Sequence, residues 1–232
     1  LNDNLDLPDT DFAGNPRISG DFVDIGPFES LNPTGGNRIQ QPQVSDNPIK
    51  VATVAELRSA LTAVASNGQD DIILLADGLY DVTEDAGGTF EYFDNEDFKL
   101  TIKALNPQQA ILDGGGSERV LDVNSLVATF LELDGLVIQN GATDTGAAGL
   151  QLNIKDALIK NTLFQGHDGS AIFAYGDYGR DEVIIVDNSR FIDNVSKPAI
   201  LHNGYYSKLD VISSYFENND GAVHALVNYS WA

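Results

Sequence analysis

The sequence predicts an all-β solenoid, a parallel β-helix, and three observations carry that prediction. One short phrase recurs four times: Leu136-Val-Ile-Gln-Asn-Gly141, Thr162-Leu-Phe-Gln-Gly-His167, Ser189-Arg-Phe-Ile-Asp-Asn194 and Ser214-Tyr-Phe-Glu-Asn-Asn219. Its aligned residues Ile138, Phe164, Phe191 and Phe216 are 26, 27 and 25 residues apart. At such a period each repeat is one supersecondary unit that buries its apolar face only against its neighbours. Each phrase also follows an apolar alternation and a turn residue, in Leu131-Glu-Leu-Asp-Gly135, Ala157-Leu-Ile-Lys-Asn161, Ile184-Ile-Val-Asp-Asn188 and Leu209-Asp-Val-Ile-Ser213. Finally, a third short run trails each phrase, at Gly149-Leu-Gln-Leu, Ala171-Ile-Phe-Ala, Ala199-Ile-Leu-His and Ala222-Val-His-Ala. Three short strands per turn separated by bends describe a β-helix; the fixed Leu/Asn pattern of leucine-rich repeats is missing.

Strand periodicity of two points Leu131/Leu133, Ala157/Ile159, Ile184/Val186 and Leu209/Val211 inward. Gly135, Asn161 and Asn188 stand at equivalent places, and both residue types tolerate left-handed backbone, so a sharp bend is expected there.

Taken from the start, residues 1 to 48 are rich in Asn, Asp, Pro and Gly and read as an extended arm and linker with no core of its own. The solenoid then runs over 49–232. Thr53 and Glu56 form a capping box, Val54, Leu57, Leu61 and Val64 have helical spacing, and Asn67-Gly68 ends a helix at about 53–67. A strand over Asp71–Tyr80 follows, and the coils continue through Phe90–Phe93, Leu100–Ala104, Ala110–Asp113 and Arg119–Val123. Asp113-Gly-Gly-Gly116 lacks the strand-to-helix transition and Lys of a phosphate cradle, so it reads as a tight bend. The last residues, Ser230-Trp-Ala232, show no polar cap, and this end is expected to meet another chain.

Two stretches resemble known families. The segment Asp9-Thr-Asp-Phe-Ala-Gly-Asn-Pro-Arg-Ile-Ser-Gly-Asp-Phe-Val-Asp-Ile-Gly-Pro-Phe-Glu29 resembles the closing motif of bacterial surface β-helix proteins, with Pro27 in place of the usual Ala. That motif normally follows the last coil, whereas here it comes first. Either it finishes a preceding module of a longer chain, or it closes the β-helix of a neighbouring subunit, or it folds back along its own coils. The first two imply head-to-tail association. The helix followed by Ile73-Leu-Leu-Ala-Asp-Gly-Leu-Tyr80 resembles the start of pectate-lyase-like right-handed β-helices, in which a helix plugs the open end of the core. Right-handedness follows from that resemblance and from the rule for parallel crossovers.

The formal charge of −22 and pI near 4.1 oppose binding to nucleic acid and anionic lipid. No run of eighteen apolar residues exists to span a membrane. There is no cysteine, hence no disulfide framework, and no methionine. The chain is read as a mature or excised segment of an extracellular or cell-surface protein.

The pectate-lyase-like resemblance implies an enzyme alternative, a polysaccharide lyase with Arg or Lys as base, often beside calcium. Arg119, Lys160, Arg180 and Arg190 are the candidates, yet Arg190 has Val137, Leu163 and Tyr215 as stack neighbours, poor company for a base. Hydrolases of the same fold use grouped Asp with a His. Gly166-His-Asp-Gly169 is only faintly similar, and sequence does not pair Asp113, Asp122 or Asp134 as glycoside hydrolysis requires. His167, His202 and His224 lack metal-ligand spacing and read as surface or satisfied residues. No catalytic residue is assigned. For metal, Asp9 and Asp11 with Asn15 have part of a calcium loop, and calcium is the one cofactor left open.

Binding has more support. Tyr175 and Tyr178, then Tyr205 and Tyr206, then Tyr229 and Trp231 fall in successive loops and would line one edge, as carbohydrate-binding or partner-binding aromatics do. Alternation also turns Leu158, Ile185, Val137, Leu163 and Tyr215 outward beside Glu132, Asp210 and Arg190, an apolar surface suited to a partner. The arm's Arg17, Ile18, Phe22, Val23, Ile25 and Phe28, together with Trp231, complete the partner-binding set. The expected function is a structural or adhesive module joined head to tail to identical subunits or tandem modules. A polysaccharide-binding or polysaccharide-cleaving β-helix is the alternative.

Overall fold

The computed structural model describes residues 48–125, 127, 129–175, 182–204 and 207–227, together with the backbone at Ile18–Ser19 and Phe22–Val23. Contacts divide the chain into Leu1–Gln41 and Pro42–Ala232. In the first unit, β1 (Ile18–Ser19) and β2 (Phe22–Val23) pair antiparallel.

The second unit is a stack of coils. It opens with β3 (Ile49–Val51) and α1 (Val54–Val64), and the first full coil is β4 (Asp71–Leu75), β5 (Gly78–Asp81) and β6 (Phe90–Asp94). Five more follow: β7 (Lys99–Ala104), β8 (Ala110–Asp113), β9 (Leu121–Ser125); β10 (Phe130–Asp134), β11 (Val137–Gln139), β12 (Ala142–Asn153); β13 (Asp156–Lys160), β14 (Leu163–Gln165), β15 (Asp168–Tyr175); β16 (Val183–Asp187), β17 (Arg190–Ile192), β18 (Ile200–Gly204); and β19 (Lys208–Ile212), β20 (Tyr215–Glu217), β21 (Val223–Val227). Equivalent strands pair in parallel, giving one seven-stranded sheet from β3 to β19 and two six-stranded sheets, β5 to β20 and β6 to β21. The chain is therefore a parallel β-helix, as its repeat period predicts.

Alternation sets the core. Leu131, Leu133, Ala157, Ile159, Ile184 and Val186 are buried inside the first sheet, with Tyr80, Leu112, Ile138, Phe164 and Phe191 inside the second and Phe90, Leu121, Leu150, Ile172 and Ile200 inside the third. The bend after the first sheet is left-handed in successive coils, at Gly135 (φ 72°), Asn161 (54°), Asn188 (46°) and Ser213 (49°). A second bend, which the sequence reading missed, follows the second sheet at Asn140, Gly166, Asp193 and Asn218. Asp113–Gly116 is a bend as expected: Asp113 Oδ1 accepts from Gly115 N at 2.8 Å, and Gly115 and Gly116 have positive φ.

Two expectations need correction. The stretch Asp71–Tyr80 is two strands rather than one, because the chain turns the solenoid corner between Leu75 and Gly78. The helix stops at Val64, before Asn67-Gly68. Its start is as read, with Thr53 Oγ1 accepting from Glu56 N at 3.2 Å, but Glu56 Oε2 reaches back to Ala52 N (2.7 Å) rather than to Thr53 N. Val54, Leu57, Ala60, Leu61 and Val64 are buried against the first coils, so α1 plugs that end of the core. Arg58 fastens it, donating to Gly88 O at 2.6 Å and Thr89 O at 3.1 Å and pairing with Asp85.

Candidate functional site

Each coil is tied to the next by side chains at fixed places. At the first bend Asn188 Nδ2 donates to Asn161 Oδ1 and Asn161 Nδ2 to Asp134 Oδ1, both at 2.8 Å. One residue on, Thr162 N donates to Ser189 Oγ (3.3 Å) and Ser189 N to Ser214 Oγ (3.2 Å). Inside the second sheet Phe164, Phe191 and Phe216 stack with ring centroids 5.0 and 4.7 Å apart.

The second bend carries a buried ladder. Asn194 Oδ1 accepts from His167 N and Asn219 Oδ1 from Asn194 N, while Asn194 Nδ2 and Asn219 Nδ2 donate to Phe164 O and Phe191 O. His167 fills the same place one coil earlier, its Nδ1 accepting from Gly141 N (3.0 Å) and its Nε2 lying 3.0 Å from Ile138 O. It is therefore the Nε2–H tautomer, an imidazole doing what asparagine does elsewhere in the row. Burial holds it at a pKa of about 4, below its ordinary value of 6.5. His167 is thus the satisfied residue expected, and His224 is exposed. His202 differs from expectation: two residues after Ile200 it points inward, is fully buried, and among the described residues neither ring nitrogen has a partner. Burial alone pushes its pKa down.

The candidate bases among the described residues are engaged. Arg119 donates from Nε to Ala147 O (2.8 Å), from Nη1 to Asp122 Oδ2 (2.7 Å) and from Nη2 to Thr145 O (3.0 Å). It clips down the 142–147 stretch, where β12 shifts register against β15. Burial raises the Asp122 carboxyl above its ordinary range despite Arg119 beside it. The result is an open polar groove of about 640 Å³ walled by Glu118, Arg119, Thr143, Asp144, Thr145 and Asp168. Lys160 is bound to Glu132 at 2.7 Å, and Lys99 reaches the same carboxylate at 2.5 Å. Burial pushes Glu132 up, but the two lysines reverse this and hold it below the usual carboxylate range. Arg190 lies over the Tyr215 ring at 5.9 Å, between Leu163 and Tyr215 in register as expected. Arg180 lies outside the described residues. Asp113 accepts from Gln139 and Asn140, and Asp134 from Asn161, so both serve the ladders. Among the described residues no group of three or more His, Cys, Asp or Glu is placed to hold a metal ion.

The outward rows fall where alternation puts them. Leu158 and Ile185 are adjacent in register and half-buried on the first sheet, next to Glu132 and Asp210. Val137 is outside the core cluster but only 5 % exposed, a correction that follows from its seat between Ile111 and Leu163 in the row. Tyr215 is 52 % exposed. Tyr175 is half-buried and tilted against Phe173 at 5.4 Å, a neighbour on its own strand. Tyr178, Tyr205, Tyr206, Tyr229, Trp231, Asp9, Asp11, Arg17, Ile25 and Phe28 lie outside the described residues, and Ile18, Phe22 and Val23 are described in backbone only.

No family model matches this sequence, and no curated protein matches it. Among solved structures the chain is similar to a mannuronic acid specific polysaccharide family 6 lyase enzyme from human gut microbiota, at 13% identity and a TM-score of 0.38, over 76% of this chain and 52% of that one. The chain thus spans about half the length of that lyase. No helix among the described residues is long and apolar enough to cross a membrane.

These arrangements bring together the coil-to-coil ladders and the edge at which they stop. At β19–β21 the inner residues Leu209, Val211 and Phe216 are only half-buried and Val223 is 43 % exposed. Among the described residues nothing takes the N–H of Ser214 or Asn219, the next donors in their rows. This edge is the strongest candidate site, because parallel strands and apolar rows with no further partner among the described residues are a template for more chain.

Proposed function

We propose that this protein is a structural or adhesive β-helix module of the cell exterior that associates end to end, the arm of one copy completing the β-helix of the next. The observation that carries this reading is the β19–β21 edge, which no described residue covers, with Leu209, Val211 and Phe216 half-buried at one end of a stack whose other end is plugged by α1. Heterologous contacts that repeat along the stack axis without closing a ring build filaments or stalks. The extracellular placement is supported by the acidic, cysteine-free composition. Calcium, if it takes part, would be held by the arm's Asp9 and Asp11. Electron microscopy of the purified chain tests the reading: fibres that vanish when residues 1–29 are deleted support it, and large assemblies unchanged by that deletion overturn it.

A second reading has its own observation, the polar groove beside Arg119, which fits a carbohydrate better than an apolar ligand. Incubation with uronate polymers, followed by absorbance of the unsaturated product, tests cleavage. Retardation in polysaccharide-containing gels tests binding.

A further inference from the structure

The ladders specify what would continue the stack. A segment seated on β19 and β20 needs two apolar residues in alternation to cover Leu209 and Val211, then a residue tolerant of left-handed backbone. It next needs a hydroxyl to accept from Ser214 N–H, an aromatic ring to stack on Phe216, a second bend residue, and an amide to accept from Asn219 N–H while donating to Phe216 O.

The arm contains that pattern. Leu5-Asp-Leu-Pro-Asp-Thr-Asp-Phe-Ala-Gly-Asn15 aligns without a gap on Leu209-Asp-Val-Ile-Ser-Ser-Tyr-Phe-Glu-Asn-Asn219. Leu5 and Leu7 match Leu209 and Val211, and Thr10, Phe12 and Asn15 match Ser214, Phe216 and Asn219. Asp9 and Gly14 fall on the two left-handed bends, Ser213 and Asn218. We propose that residues 5–15 of one copy form the first two strands of a further coil on the β19–β20 edge of the next copy, in register with residues 209–219. This rests on the end-to-end reading and assigns its contact.

We assign the segment to a second copy stacked head to tail, because the described chain enters each solenoid at β3, the opposite end of the stack from β19, and the cross-link below separates this source from residues 5–15 of the same chain. When copies stack head to tail, β3 of one copy faces the β19–β21 edge of the next. Two places fit less well. Pro8, matching Ile212, supplies the carbonyl that this place gives the preceding coil but no N–H, at a cost of one ladder bond. Asp6 would stand beside Asp210, a like charge that Lys208 offsets from 2.6 Å.

The native chain has no cysteine, so paired cysteines report register directly. Asp11→Cys with Tyr215→Cys places two thiols at facing outward positions, within the reach of a disulfide between adjacent strands. Oxidation of the full-length double variant should give a ladder of covalent dimers and higher oligomers on a denaturing gel, while Asp21→Cys with Tyr215→Cys gives at least tenfold less. A cross-link within one chain overturns the second-copy assignment, and equal yields from both pairs overturn the register. If deletion of residues 1–29 abolishes assembly but the Asp11/Tyr215 pair does not cross-link, the register falls while the end-to-end reading stands. If assembly survives the deletion, both fall. Phe12→Ala, which adds no cysteine, should weaken association at least tenfold, and unchanged association would count against the stacked ring.

Discussion

The two ends of the stack bury the same kind of residue to different extents. At the front, Leu57 and Leu61 of α1 are 2 % and 1 % exposed, and the helix closes the core. At the back, Leu209, Val211 and Phe216 occupy equivalent inward rows and remain half-buried, with the ladder donors Ser214 N–H and Asn219 N–H leading nowhere among the described residues. A solenoid has no way to satisfy its last coil from within, so each end needs a dedicated cover. Here a helix supplies one of them, and no described residue covers the other.

The largest effects should therefore separate the ends. Leu57→Ala or Leu61→Ala should cost about 2–5 kcal/mol in thermal or denaturant unfolding, the usual range for a buried leucine. Leu209→Ala should cost the isolated chain less than half as much yet weaken assembly, and equal losses at both ends would remove the distinction.

The middle of the stack sharpens it next. Because Asn194 and Asn219 make the same bonds as His167, His167→Asn should be nearly neutral. His167→Leu should lose about 1–3 kcal/mol by stranding Gly141 N–H and Ile138 O. Titration adds a signature. The His167 pKa is lowered in the folded chain, so its contribution is complete above pH 6.5, the unfolded value, and is lost as pH falls toward about 4. That loss is on the order of 3 kcal/mol. Unfolding measured against pH should show it in the native protein and not in His167→Asn; parallel curves would contradict the assignment.

The smallest effect belongs to the outer face. Lys160→Met removes ion pairs to Glu132 and Asp134 at an accessible surface and should cost only about 0.5 kcal/mol, less at high salt.

The fold was legible because repetition states the same instruction several times: Leu131, Ala157, Ile184 and Leu209 could be aligned and their inward direction read at once. What breaks the repeat was not legible. The register shift in β12 leaves Thr143–Gly146 without a register partner in β15, so the groove clipped by Arg119 left no periodic trace. The second bend at Asn140, Gly166, Asp193 and Asn218 was present in the phrase itself and could have been found from its Asn and Gly content. The inward turn of His202 also follows from Ile200 by alternation, and it was hidden by the general preference of histidine for wet sites.

The end-to-end claim is tested most directly by sedimentation velocity of the full chain and of residues 30–232, over a range of protein concentrations. The account predicts concentration-dependent, open-ended assemblies for the full chain and a single monomeric species for the truncated one. A full chain that stays monomeric at every concentration, or a truncated chain that assembles equally well, would contradict it.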